Sequence, residues 1–108
     1  MFDEDGREYV DMLAGIGVGA LGHGHEGLVR AIAEQAREMI HCSNLFFHPL
    51  QGQLAERLAN LSGLSRAFFC NSGTEAVESA LKFARYATGR RRVIYCDHAF
   101  HGLTTGSL

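Results

Sequence analysis

Apolar positions along the chain keep a helical period in three separate stretches. Over residues 26–40, Leu28, Val29, Ile32, Ala36, Met39 and Ile40 recur at steps of three and four, while Arg30, Glu34, Arg37 and Glu38 share the opposite side. That spacing predicts an amphipathic helix. The pattern breaks over residues 41–49, then resumes with Leu50, Leu54, Leu58 and Leu61 until Gly63 ends it. A third helix is expected over residues 73–87, with Ala76, Val77, Ala80, Leu81 and Ala84 as its core stripe. Glu78 and Lys82, the one lysine, stand four apart on its polar side and are expected to pair.

Between these helices the period shortens. Asp5-Gly6 lies between short alternating runs at the start of the chain, a hairpin signal that predicts a small β-ribbon. Residues 65–70 and 92–96 are β-prone runs on either side of the third helix. Strand, helix, strand in that order is the pattern of a right-handed parallel unit, so this half reads as the start of an α/β domain. Residues 14–24 are glycine-rich and are expected to form an ordered loop.

Composition narrows the function classes. With 108 residues and 46% apolar content the chain is globular in class. Acids and bases are interspersed and the formal net charge is -2, so there is no basic face for nucleic acid. Arg90-Arg91-Arg92 is the one basic cluster, and its place between a helix and a strand predicts a solvated turn. The three cysteines, Cys42, Cys70 and Cys96, are odd in number and widely spaced, which argues against a disulfide framework or a zinc site and fits a reducing cytosol. No apolar run reaches the roughly 20 residues of a membrane helix. A cytoplasmic protein without membrane partners is expected. The chain stops at Gly106-Ser107-Leu108, where an apolar element begins, so a continuation is expected.

Two motifs invite functional readings. Gly17-Val18-Gly19-Ala20-Leu21-Gly22 fits the G-x-G-x-x-G pattern of dinucleotide-binding turns. That chemistry needs the last glycine to open a helix and an acid about 20 residues further on. Here His23-Gly24-His25 intervenes before the helix, and His41-Cys42-Ser43-Asn44 occupies the acid's place, so the context fails twice. The glycines are better read as tight backbone turns. Neither His23 with His25 nor His98 with His101 has a third ligand at metal-binding spacing, and no metal is assigned.

The second motif is Asn71-Ser72-Gly73-Thr74-Glu75-Ala76, where a β-prone run passes through one glycine into a helix. The first amides of a helix lack intrahelical acceptors and carry the positive end of its dipole, so such a junction can hold a phosphate dianion. Thr74 could add a hydroxyl donor. Ser72-x-x-Glu75 is also a capping box, in which side chains satisfy the same amides. Spacing alone leaves both readings open.

Asn71-Ser72-Gly73-Thr74-Glu75-Ala76 followed by Ala80-Leu81-Lys82-Phe83-Ala84-Arg85 resembles the phosphate-binding turn of class III aminotransferases, the acetylornithine, ornithine and 4-aminobutyrate type. Leu21-Gly22-His23-Gly24-His25, Ser43-Asn44-Leu45-Phe46-Phe47, Leu54-Ala55-Glu56-Arg57-Leu58 and Ala99-Phe100-His101-Gly102 resemble that family in its order and spacing. The resemblance implies a fold-type-I transferase of α/β class, with a mostly parallel sheet in a large domain. Residues 1–48 would belong to the N-terminal segment and residues 49–108 would open the large domain. It implies a homodimer that binds pyridoxal 5'-phosphate and moves an amino group between an amine or ω-amino acid and a 2-oxo acid. By carry-over, Ser72, Gly73 and Thr74 would bind the cofactor phosphate, Phe100 would stack on its ring, and His101 and Gly102 would shape that wall. Phe47 would lie near the substrate entrance.

The Schiff-base lysine and the aspartate facing the ring nitrogen lie, in the family, beyond the aromatic-His-Gly motif. The chain alone is therefore expected to be inactive. Leu103 departs from the pattern, because acetylornithine- and ornithine-type members usually carry there an arginine that pairs with a substrate carboxylate. An apolar side chain cannot supply that bidentate contact. A substrate without the carboxylate, or its recognition through another residue, is expected. The competing readings are a non-catalytic remnant or interaction module, and a dinucleotide-binding domain.

Overall fold

A computed structural model describes residues 1–108, which form two compact units, Met1–Phe47 and His48–Leu108. The first unit opens on a tight reversal. A single antiparallel bridge joins Phe2 to Glu8 across a turn in which Gly6 takes φ 78°. Asp3 holds this turn: its Oδ1 accepts from the Asp5 amide at 3.0 Å and the Arg7 amide at 2.9 Å, and its Oδ2 accepts from the Tyr9 hydroxyl at 2.9 Å. The Arg7 amide above all keeps the Asp3 carboxyl below the usual aspartate value. The expected ribbon is thus reduced to one bridge with a strongly hydrogen-bonded turn.

The glycine-rich segment contains a short helical turn, α1 (Ala14–Gly17), not foreseen in the sequence. Ala14, Gly15, Ile16 and Gly17 all have positive φ, so this turn is wound left-handed, against the preference of L-residues. Asp11 Oδ1 receives the Leu13 and Ala14 amides, each at 2.9 Å, at its start. Gly17, Gly22 and Gly24 also take positive φ, and none of them opens a helix. Helix α2 (Glu26–Glu38) starts only after His25, whose Nδ1 accepts from the Leu28 amide at 3.2 Å. His25 is therefore a helix cap. Glu26 in the first turn and Arg37 in the last suit the helix dipole.

In the second unit, helix α3 (Pro49–Ser62) has Pro49 at its first position and Gly63 at its end in the left-handed conformation, φ 72°. Helix α4 (Gly73–Thr88) follows, capped by Ser72 and ended by Gly89 at φ 68°. The three predicted helices therefore stand within two residues of their expected ends. The segment 65–70 runs beside α4, where Phe68 and Phe83 meet edge to face with ring centroids 5.7 Å apart.

The two β-prone runs form no strands. Residues 65–70 and 92–96 are non-helical and unpaired, so the expected parallel sheet is not formed in this chain. The reason is physical: strand geometry is stabilised by neighbours on both sides, and two strands alone bury too little to hold a sheet. The expected core stripes fail similarly. No apolar side chain is fully buried, and α3 and α4 do not pack on one another. Val77 and Leu81 are half-buried, whereas Ala76, Ala80 and Ala84 are exposed. Val77 and Leu81 line an apolar cavity of about 490 Å³, shared with Val93, Tyr95, Ala99 and Leu108.

Candidate functional site

Everything that makes the start of α4 chemically distinct is local to its first turn. Ser72 is extended, and its Oγ accepts from the Glu75 amide at 3.3 Å. The Glu75 carboxylate reaches back to the Asn71 amide at 2.7 Å, one residue earlier than the reciprocal bond of a regular capping box. These two bonds satisfy Glu75 and Asn71. By helix geometry the amides of Gly73 and Thr74 have no carbonyl four residues back within the helix, and the cap takes neither. The capping and anion readings are therefore compatible, because they use different amides. A Cβ at Gly73 would meet no protein atom within 4 Å, so the space beside that residue is open.

A recess of about 430 Å³ lies at this end of α4, lined by Gly73, Thr74, Phe100, His101, Gly102 and Leu103. Six of the residues singled out in the sequence, Gly73, Thr74, Phe100, His101, Gly102 and Leu103, thus border one space. Ser72 stands beside it as the cap. Phe100 and Leu103 are largely exposed, at 78% and 76%. Phe47 is the last residue of the first unit and is fully exposed.

The loop that carries Phe100 and His101 is tied to α4 through Thr104, Gly106 and Ser107, none of them selected as site residues from the sequence. The Thr74 hydroxyl lies 2.9 Å from that of Thr104 and 2.7 Å from that of Ser107. The Ser107 hydroxyl accepts from the Thr104 amide at 3.0 Å, and Ser107 is only 2% exposed. One turn along the helix, Glu78 Oε1 accepts from the Gly106 amide at 2.7 Å. The Thr104 hydroxyl and the Gly106 amide hold the Glu78 carboxyl below the usual glutamate value, with Lys82 and Arg85 adding smaller contributions.

Two expectations change here. The Thr74 hydroxyl, expected as a donor to a phosphate, is engaged with Thr104 and Ser107 and braces the loop. Glu78 turns to the Gly106 amide, and no ion pair joins it to exposed Lys82. A backbone donor held at 2.7 Å competes well with a flexible lysine in water, where an i, i+4 pair contributes little. The available signals were the four-residue spacing of Thr74 and Glu78, which puts both on one side of α4, and the hydroxyl-rich run Thr104-Thr105-Gly106-Ser107.

The family model for class-III aminotransferases matches residues 1–108. The chain belongs to the class-III aminotransferase family. Among its relatives, the acetylornithine aminotransferase of Methanosarcina acetivorans is 50% identical over 103 residues, covering 95% of this chain and 26% of that protein. That of Archaeoglobus fulgidus is 47% identical over 108 residues, covering 100% of this chain and 29% of that protein. Acetylornithine aminotransferase 1 of Bordetella parapertussis is 50% identical over 113 residues, again 100% and 29%. The chain therefore spans between 26% and 29% of the length of these relatives. No helix in this class-III chain is long and apolar enough to cross a membrane.

Proposed function

We propose that this chain is the phosphate-binding corner of a fold-type-I aminotransferase that moves an amino group between an amine or ω-amino acid and a 2-oxo acid. The observation that carries the reading is the meeting, at one recess, of the open Gly73 and Thr74 amides with Phe100, His101 and Leu103. The recess falls within the roughly 300–1,000 Å³ typical of cofactor sites. When bound, pyridoxal phosphate supplies the electron sink for the reaction. The chain's own residues hold and orient it. The Gly73 and Thr74 amides, at the positive end of α4, bind the phosphate dianion. Ser72 keeps that end regular by capping Glu75. Phe100 covers one face of the ring, and His101 with Gly102 forms the adjoining wall.

On this reading residues 1–48 belong to the N-terminal segment of the enzyme and residues 49–108 open its large domain. The runs at 65–70 and 92–96, unpaired in this chain, would become strands once the rest of that domain's sheet is beside them. The enzyme works as a cytoplasmic homodimer, with Phe47 near the substrate entrance. Leu103 borders the recess and offers no charge to a substrate carboxylate. The substrate is therefore an amine lacking that carboxylate, or one recognised through a different residue.

The experiment is to assay an enzyme that carries this chain against acetylornithine, ornithine, 4-aminobutyrate and a simple diamine, with Leu103 and with Leu103→Arg. The arginine is expected to shift preference toward acetylornithine. Preference for acetylornithine in the unaltered enzyme, with no gain from the arginine, would contradict the role given to Leu103.

A further inference from the structure

We propose that Glu78 is a positioning residue: by holding the Gly106 amide it keeps the loop at 100–107 folded over the open amides of α4, so that Phe100 and Leu103 border the recess. The contribution of this tether to cofactor binding rests on the function proposed above, but the tether itself does not.

Three observations converge. Thr74 and Glu78 lie four residues apart on one side of α4, and both reach the same short loop. Their partners, Thr104, Gly106 and Ser107, are 28 to 33 residues away in sequence, so the contacts fix tertiary position and not local turn geometry. The fit also leaves no slack at either glycine of the loop. A Cβ on Gly106 would come within 2.6 Å of the Glu78 carboxylate, and one on Gly102 would collide with Thr74 and lie 2.7 Å from Ser107 Oγ.

Of the two anchors, Glu78 is the stronger. A carboxylate accepting from an amide makes a charge-assisted bond, roughly twice as strong as one between neutral groups, whereas Thr74 offers only hydroxyl contacts. The groups facing Glu78 are few: Lys82 and Arg85 on its own helix, and a loop whose residues 102–107 include no titratable side chain. Among the residues that bond helix to loop, Thr74, Glu78, Thr104, Gly106 and Ser107, Glu78 alone is ionisable.

The test is hydrogen exchange with mass-spectrometric readout on the full chain, following residues 100–108, with residues 26–38 as an internal reference. Glu78→Ala is expected to speed exchange over 100–108 about tenfold and leave 26–38 unchanged, as loss of a charge-assisted bond predicts. Glu78→Gln keeps an acceptor oxygen and is expected to restore most of the protection. Unchanged loop exchange in Glu78→Ala would overturn the proposal. Should that variant also loosen 26–38, Glu78→Gln decides: a rise of roughly threefold confined to the loop supports the tether, and no rise overturns it.

A second arm adds pyridoxal phosphate, and separately inorganic phosphate, and follows protection of residues 73–76 in the native chain. No protection there would sink the phosphate-site reading while the unliganded exchange still judges Glu78. Protection by the cofactor that is weakened about tenfold by Glu78→Ala and restored by Glu78→Gln supports both. Protection equal in all three proteins would overturn the positioning role.

Discussion

Two glycine-bearing segments of this chain each suggest an anion site in sequence and differ in local structure. The run from Gly17 to Gly22 has the spacing of a dinucleotide turn, yet its glycines serve left-handed turns and no helix begins there. Gly73 stands alone, yet it is the first residue of a 16-residue helix. The difference teaches that an anion site follows from a helix N-terminus with open amides, and not from the number of glycines nearby. Capping sharpens the contrast. Ser72 satisfies the Glu75 amide and leaves the Gly73 and Thr74 amides uncapped, whereas His25, the cap of α2, comes after the glycine motif has ended.

The largest expected effect comes from Gly102→Ala. Gly102 takes φ 133°, and an added Cβ would strike Thr74 and Ser107, so strain and overpacking together should cost about 2–5 kcal/mol of loop docking. Accelerated exchange over residues 100–108 is the measurement. Gly73→Val should come next, weakening pyridoxal phosphate binding about tenfold or more by covering the amides. Because a Cβ there meets no protein atom and valine is a better helix former than glycine, helix content by circular dichroism should hold or rise. Unchanged affinity in that variant would remove the contrast between the two segments.

Gly17→Val is the mirror experiment. At φ 76° the β-branched side chain should destabilise the turn by about 1–2 kcal/mol, and phosphate affinity should not change. Acid gives a smaller and reversible effect. The folded-state pKa of Glu78 lies below its ordinary value of 4.5, so its contribution is complete above that value and is lost as pH falls through the depressed one. Loop protection, corrected for intrinsic exchange, should therefore decline only below about pH 4.5, and Glu78→Gln should abolish that decline. The smallest expected signal is at Lys82, which is exposed on α4: borohydride treatment with pyridoxal phosphate should give no stoichiometric adduct dependent on the folded chain.

How much of this was legible in the sequence depends on how far the determining contacts reach. The helices were, because leucine spacing, the Ser72 cap and the Gly63 stop act within a few residues. The neighbourhood of Gly73, Phe100 and Leu103 was legible through family resemblance. The left-handed winding at Ala14 and Ile16 was not, since neither residue type favours positive φ. The bond from Glu78 to Gly106 was hidden as well: i, i+4 spacing pointed to Lys82, and only the folded loop supplies the competing amide. The runs at 65–70 and 92–96 carry strand propensity, but pairing depends on neighbours that propensity cannot supply.

The most direct test of the phosphate site is a titration of the isotope-labelled chain with pyridoxal phosphate, following backbone amide shifts. The Gly73 and Thr74 amides should move together and saturate, while those of Gly17, Gly19 and Gly22 stay fixed. Saturable shifts in the Gly17–Gly22 run with Gly73 and Thr74 unmoved would contradict the assignment of the anion site to the start of α4.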